Sequence, residues 1–183
     1  RHAHCDATHA FFNGSSVFLQ VLTQENAPCL LTLLPSKNAP NWRVATALPR
    51  VKKGGKTEDF GEEDFGSNGF GLYRAANYTE LIDCPVQMGL FEFFSFKVGK
   101  IKHEVAFSGL LADAKKLDFK RMQEDMKRIC TTQIDFFVGV KSAPIENYVF
   151  LITVTQDNFG GLEHKNSTAL ICARDQLPYK TGT

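Results

Sequence analysis

Residues 148–175 read YVFLITVTQDNFGGLEHKNSTALICARD: an apolar run, a glycine pair, a glutamate and a histidine, then a second apolar run. Val149–Thr155 reads as a continuous apolar strand. Leu162–Ala173 reads as a further strand whose first half is polar. Between them, Gly160 and Gly161 would let another backbone or a ligand approach with no Cβ in the way. Glu163 then stands at the entrance of a strand. An unpaired edge there could accept an extended peptide by strand addition. A carboxylate beside that edge could hold a cationic group, such as a peptide's free amino terminus, by charge-assisted hydrogen bonds. From the residues alone a second reading stands beside this one, a glycine hairpin with Glu163 and His164 in water.

Working back from this stretch, one helix is expected. Leu117-Asp118 opens it, with Asp118 as N-cap. Met122, Met126, Ile129, Cys130, Ile134 and Phe137 recur at helical spacing up to Gly139, as core-facing residues do. Before it lies a hairpin signal, with Gln87–Val98 as a phenylalanine-rich strand, Gly99-Lys100 as a tight turn and Ile101–Ser108 as the return. Phe91, Phe93 and Ser95 alternate with Glu92, Phe94 and Phe96, so both faces are expected to be covered. Tyr78–Ile82 reads as one helical turn, closed by Asp83-Cys84-Pro85.

Further towards the start, Ser16–Leu22, Cys29–Leu34 and Trp42–Leu48 are short runs separated by turn residues, which predicts an antiparallel sandwich. Residues 51–71, VKKGGKTEDFGEEDFGSNGFG, read as a loop. The Gly69-Phe70-Gly71 within it has no strand before it or helix after it, and does not support a dinucleotide site. The fold class expected is mainly β (α+β). A β-rich portion spans 1–112, and a region spanning 113–183 begins an α+β domain that does not finish. One helix is thin cover for its sheet. Bare strand edges would favour homo-oligomers.

Composition narrows the function. Lys and Arg number 21 against 20 Asp and Glu over 183 residues, a net charge of +1, so no basic footprint for nucleic acid is present. No apolar run reaches the roughly 18 residues of a membrane span, so no membrane partner is expected. The opening RHAHCDATHAFFNG lacks the apolar segment of a secretion signal, and the expected location is cytoplasmic. Cys5, Cys29, Cys84, Cys130 and Cys172 are odd in number and never spaced C-x-x-C, which predicts reduced and mostly buried thiols.

Histidines stand at 2, 4, 9, 103 and 164. His2 and His4 could share one side of a strand with Cys5, Asp6 and His9 nearby. So close to the beginning of the sequence this reads as a solvated strand end rather than a zinc site, which needs a third ligand and usually a fourth group. His103, between Lys102 and Glu104, reads as a surface residue. The H-E-x-x-H spacing of a helical zinc site is absent, as is a G-x-S-x-G nucleophile. Spacing therefore marks no catalytic residue and no metal ligand in this chain, while a pairing in space of one of the cysteines with a histidine stays open.

Several ordered segments resemble the glycyl aminopeptidase family. Gly160–Thr168 is similar to its G-G-L-E-H-x-x-S-T segment, and Ala10–Ser16 to its A-F-F-N-G-T-S. Trp42–Pro49 resembles W-x-V-A-T-x-L-P, and Tyr78–Gly89 resembles Y-x-E-L-I-D-x-P-V-E-x-G. The family consists of zinc aminopeptidases with a thermolysin-like catalytic domain, often with a PDZ domain near the C-terminus. In related aminopeptidases a G-x-M-E-N segment on an edge strand holds the substrate's amino terminus through its Glu.

The resemblance implies that Glu163 binds the free α-amino group of a peptide substrate. Gly160, Gly161 and Leu162 would line the peptide, and His164 would touch the substrate or support the wall. The family's zinc ligands, H-E-x-x-H and a later Glu, do not occur in this sequence. The resemblance therefore implies an internal piece of the enzyme, with zinc in the full-length protein, none bound to this piece, and no activity of the piece alone. The alternative function is a non-catalytic β-rich module that binds peptides or protein partners.

Overall fold

The structure, a computed structural model, describes residues 3–51, 68–109, 114–139 and 142–180. It is mainly β and divides into two compact units, Arg1–Leu90 and Phe91–Thr183. The sequence reading places the change at 112/113 instead. The difference arises because the hairpin at 92–109 finds its further partner downstream, in a strand that lies beyond the helix. Local alternation cannot show such a pairing. Among the described residues no helix is long and apolar enough to cross a membrane.

In the first unit, β1 (Ala3–Cys5), β2 (His9–Phe12), β3 (Cys29–Leu33), β4 (Arg43–Thr46), β5 (Gly71–Ala75), α1 (Tyr78–Ile82) and β6 (Val86–Gly89) follow in order. They form an antiparallel sheet of order β1-β2-β6-β4 and a separate antiparallel pair β3-β5. Leu33, Leu48, Phe70, Tyr73, Leu81, Cys84 and Val86 are buried in this unit. Asn77 caps α1 by accepting a hydrogen bond from Glu80 N at 2.9 Å, as a short polar residue at that position does.

Ser16–Leu22 is not a strand. Asn13 caps a single 3-10 turn at Gly14–Ser16, and the chain leaves it without pairing. Leu19 is 91% exposed and Val21 and Leu22 are also exposed, so the apolar run that suggested a strand has no layer to bury it. The expected strand Gln87–Val98 is two strands. At Gly89 the backbone adopts φ +142°, which ends β6, and the chain re-enters extended structure in a different sheet.

The second unit contains β7 (Glu92–Val98), β8 (Ile101–Gly109), α2 (Phe119–Phe137), β9 (Asn147–Thr155), β10 (Gly160–Glu163) and β11 (Ser167–Ala173). The sheet order is β10-β11-β9-β8-β7. The hairpins β7-β8 and β10-β11 are antiparallel, and β9 pairs in parallel with both β8 and β11. Parallel pairing of β8 with β9 needs a crossover, and α2 supplies it.

Asp118 caps α2 by accepting from Arg121 N at 3.0 Å. Phe119, Met122, Met126, Cys130 and Ile134, spaced three and four apart, pack on Phe96, Val98, Val105, Phe107, Ile152 and Val154. Ile129 and Phe137, expected in that stripe, are exposed at 59% and 73%: Ile129 falls on the margin of the stripe, roughly 80° from its centre, and Phe137 lies on the stripe but is the last residue of the helix. Only the Phe94–Phe96 face of β7 is covered, while Phe93 on the other face is exposed. Leu162–Ala173 is not one strand. Its polar half is the strand β10 plus a turn, and its apolar half is β11.

Candidate functional site

Gly160, Gly161, Leu162 and Glu163 together are β10, the outermost strand at one end of the five-stranded sheet. Its register pairs Gly160 with Ile171, Gly161 with Leu170, Leu162 with Ala169 and Glu163 with Thr168. All four residues are exposed. The other long side of β10 pairs with no strand among the described residues, which leaves backbone donors and acceptors for an added strand.

The glycine pair is not a turn. Neither residue lies at positive φ, so the backbone would accept other residues there. A Cβ on Gly160 would meet nothing within 4 Å, and one on Gly161 would lie 3.1 Å from Leu170 Cδ2 and 3.5 Å from Glu163 Oε1. What the pair provides is open space along a strand edge. The turn comes later, at His164-Lys165-Asn166, closed by His164 N donating to Ser167 O at 2.9 Å. Thr168 Oγ1 donates to Leu162 O at 3.3 Å and fixes the end of the hairpin.

Alternation assigns the side chains to faces. Glu163 lies opposite Thr168, which pairs with Phe150, which pairs with Val105 of the core under α2. Glu163 and Gly161 therefore stand on the helix-covered face, and Leu162 and Gly160 on the other. Tyr148 is close enough to feel the Glu163 charge. Burial raises its phenol pKa above the usual range, and Cys130 and Glu163 raise it further. Its hydroxyl donates to Ser167 O at 3.1 Å, so it holds the start of β11 while flanking the carboxylate. Sequence reading did not single out Tyr148 or Thr168, since both reach the site only through strand pairing. His164 is half-buried beside the edge.

His103 is not a surface residue. It is 2% exposed and stacks on Phe96 with ring centroids 4.7 Å apart and planes 6° apart. The flanking Lys102 and Glu104 suggested solvent, but His103 sits on the opposite side of β8 from them, facing α2. All five cysteines are unbridged, and only Cys84 is fully buried, so burial is less general than expected.

A thermolysin-type zinc centre needs two histidines one helical turn apart with a glutamate between them. α2 carries no histidine, and the five histidines of the chain never stand in that spacing. These residues do not fit that zinc site, and no hydrolytic step is assigned to them.

Residues 1–90 match the Peptidase M61 N-terminal domain. The M61 match coincides with the first compact unit. Among solved structures, an aminopeptidase N family protein from Idiomarina loihiensis is 37% identical over 100% of this chain, with a TM-score of 0.84. This chain spans only 28% of that protein. An M1 zinc metallopeptidase from Deinococcus radiodurans has the same fold at 14% identity, with a TM-score of 0.50 over 92% of this chain and 37% of its own. No curated protein matches. Similarity to the M61 N-terminal domain in the first unit, and to an aminopeptidase N family protein across both, marks the chain as peptidase-related.

Proposed function

We propose that this chain belongs to a zinc aminopeptidase that removes N-terminal glycine or other small residues from peptides, and that β10 is part of its substrate wall. Glu163 takes the peptide's free α-amino group, Gly160 and Gly161 give its backbone room, and Leu162 and His164 border it. The observation that supports this most is the placement of Glu163 on a glycine-opened, one-sided edge strand. An extended peptide can add there through main-chain hydrogen bonds while the carboxylate selects a terminal ammonium. Zinc and its ligands would come from chain that follows the catalytic domain's first elements, so this piece alone does not hydrolyse peptides.

The test is Glu163→Gln in the longer polypeptide that contains this chain. Losing a charged partner for a desolvated ammonium should lower kcat/KM on glycyl and alanyl substrates by about 100-fold or more. Residual cleavage of N-acetylated analogues should barely move. Equal losses on both substrates, or none on either, would overturn the assignment. If instead the isolated chain binds peptides tightly and E163Q abolishes that binding, the non-catalytic module becomes the better reading.

A further inference from the structure

We propose that His4, Asp6 and His9 form a surface site for a divalent transition-metal ion of the zinc class, built on the β1-β2 hairpin. Residues 4–9 read H-C-D-A-T-H. β1 and β2 pair with His4 opposite Phe11 and Cys5 opposite Ala10. Asp6 N donates to His9 O at 3.0 Å, which carries the ladder one step further and sets Asp6 opposite His9. Side chains two apart on a strand share a face, and directly opposed residues share it too. His4, Asp6 and His9 therefore project together, and Cys5 projects away from them.

The distances agree with the register. One donor atom from each of the three residues lies within 4.8 Å of the other two. His4 Nε2 is 2.9 Å from Asp6 Oδ2, His9 Nδ1 is 3.5 Å from Asp6 Oδ1, and the two rings are 4.7 Å apart between centroids. Donors on a tetrahedral ion with bonds of about 2.0–2.1 Å stand about 3.3 Å apart, so small side-chain rotations suffice.

The turn also prepares the carboxylate. Asp6 Oδ1 accepts from Thr8 N at 2.7 Å, Thr8 Oγ1 at 2.7 Å and His9 N at 3.0 Å. Asp6 is thus an oriented anion with Oδ2 turned to His4. Gly89 of β6, at φ +142°, lies under the turn. A Cβ there would fall 2.9 Å from His9 Cβ and 3.0 Å from Thr8 O. The glycine lets β6 support the hairpin closely.

Two imidazoles and one carboxylate suit Zn2+, Co2+, Ni2+ or Cu2+, with water in the remaining positions, whereas Mg2+ and Ca2+ favour all-oxygen sets. The ion would clip β1, three residues long and at the edge of its sheet, to β2. From spacing alone this stretch reads as a solvated strand end, because spacing does not reveal the register.

The experiment is titration of the full chain with Co2+, read by visible absorption, followed by displacement with Zn2+. One equivalent should bind and raise the melting temperature. His4→Ala, His9→Ala and Asp6→Asn should each weaken binding by at least about tenfold, and Cys5→Ser should leave it unchanged. Circular dichroism of the metal-free variants should match that of the parent, since none of the three residues belongs to the buried core. No saturable binding up to millimolar ion would overturn the proposal. So would binding that survives His4→Ala and His9→Ala, or that Cys5→Ser removes.

Discussion

The five-stranded sheet has two ends, and they are built differently. β7 ends one side with seven residues, and three of them, Phe94, Phe96 and Val98, face the helix-covered core. The helix also reaches this edge directly, where Gln123 Nε2 donates to Ser95 O at 2.6 Å. Lys97 on the exposed face adds a charge that discourages a further strand. β10 ends the other side with four exposed residues, two of them glycine. Edges are normally blunted because unpaired backbone groups invite association. Among the described residues, then, one edge of the sheet is guarded and the other is bare, the contrast on which the proposed path of a peptide along β10 depends.

The largest test of this contrast is stability. Phe96→Ala removes a buried ring from the β7 edge and should cost about 3–5 kcal/mol. Leu162→Ala at the β10 edge, where the side chain is 45% exposed, should cost less than about 1 kcal/mol. Urea unfolding of both variants checks the pair. Comparable losses would mean that β10 is as integral to the fold as β7, and the edge reading would fail.

How much of this was visible in the sequence depended on the range of the interaction. The β8 return, β9, α2 and its Asp118 cap were legible because alternation, apolar runs and capping are local. The glycine pair and Glu163 were legible as an opening beside a strand, but the short strand they form was not, because four exposed residues carry no hydrophobic pattern. Ser16–Leu22 misled in the opposite sense, since its apolar run is real but unlayered. The parallel pairing of β9 with β8 and β11 was hidden because it joins segments far apart in sequence. His103 was misplaced for a related reason. Its neighbours are charged, and only the pairing with Phe96 and Tyr148 shows that it points into the core.

A second test uses that histidine to probe the guarded end. Burial lowers the His103 pKa below its ordinary value. The unfolded chain therefore binds the proton at higher pH than the folded one does. Stability should be flat above about pH 6.5 and fall progressively as the pH drops below it. His103→Leu, which keeps the site filled and cannot titrate, should reduce that slope. Urea midpoints at pH 7 and pH 5 give the comparison. Identical slopes in parent and variant would show that His103 does not report on the packing between β7 and β8.

The smallest effect on the fold falls at the bare edge, and it separates fold from function there. Gly160→Ala adds a methyl where nothing lies within 4 Å, at a residue whose φ suits any amino acid. The folded chain should accept it. Because alanine restricts the unfolded chain more than glycine does, stability should hold or rise by up to about 1 kcal/mol. In the longer polypeptide the same methyl would stand where a substrate backbone is proposed to pass, and kcat/KM should fall although the fold is no weaker. Thermal melts and peptide hydrolysis on one variant give both numbers. A fall in activity without a fall in stability would identify the glycine as a concession to the substrate. Unchanged activity would mean that the peptide does not run along Gly160, and the proposed path along β10 would have to be moved.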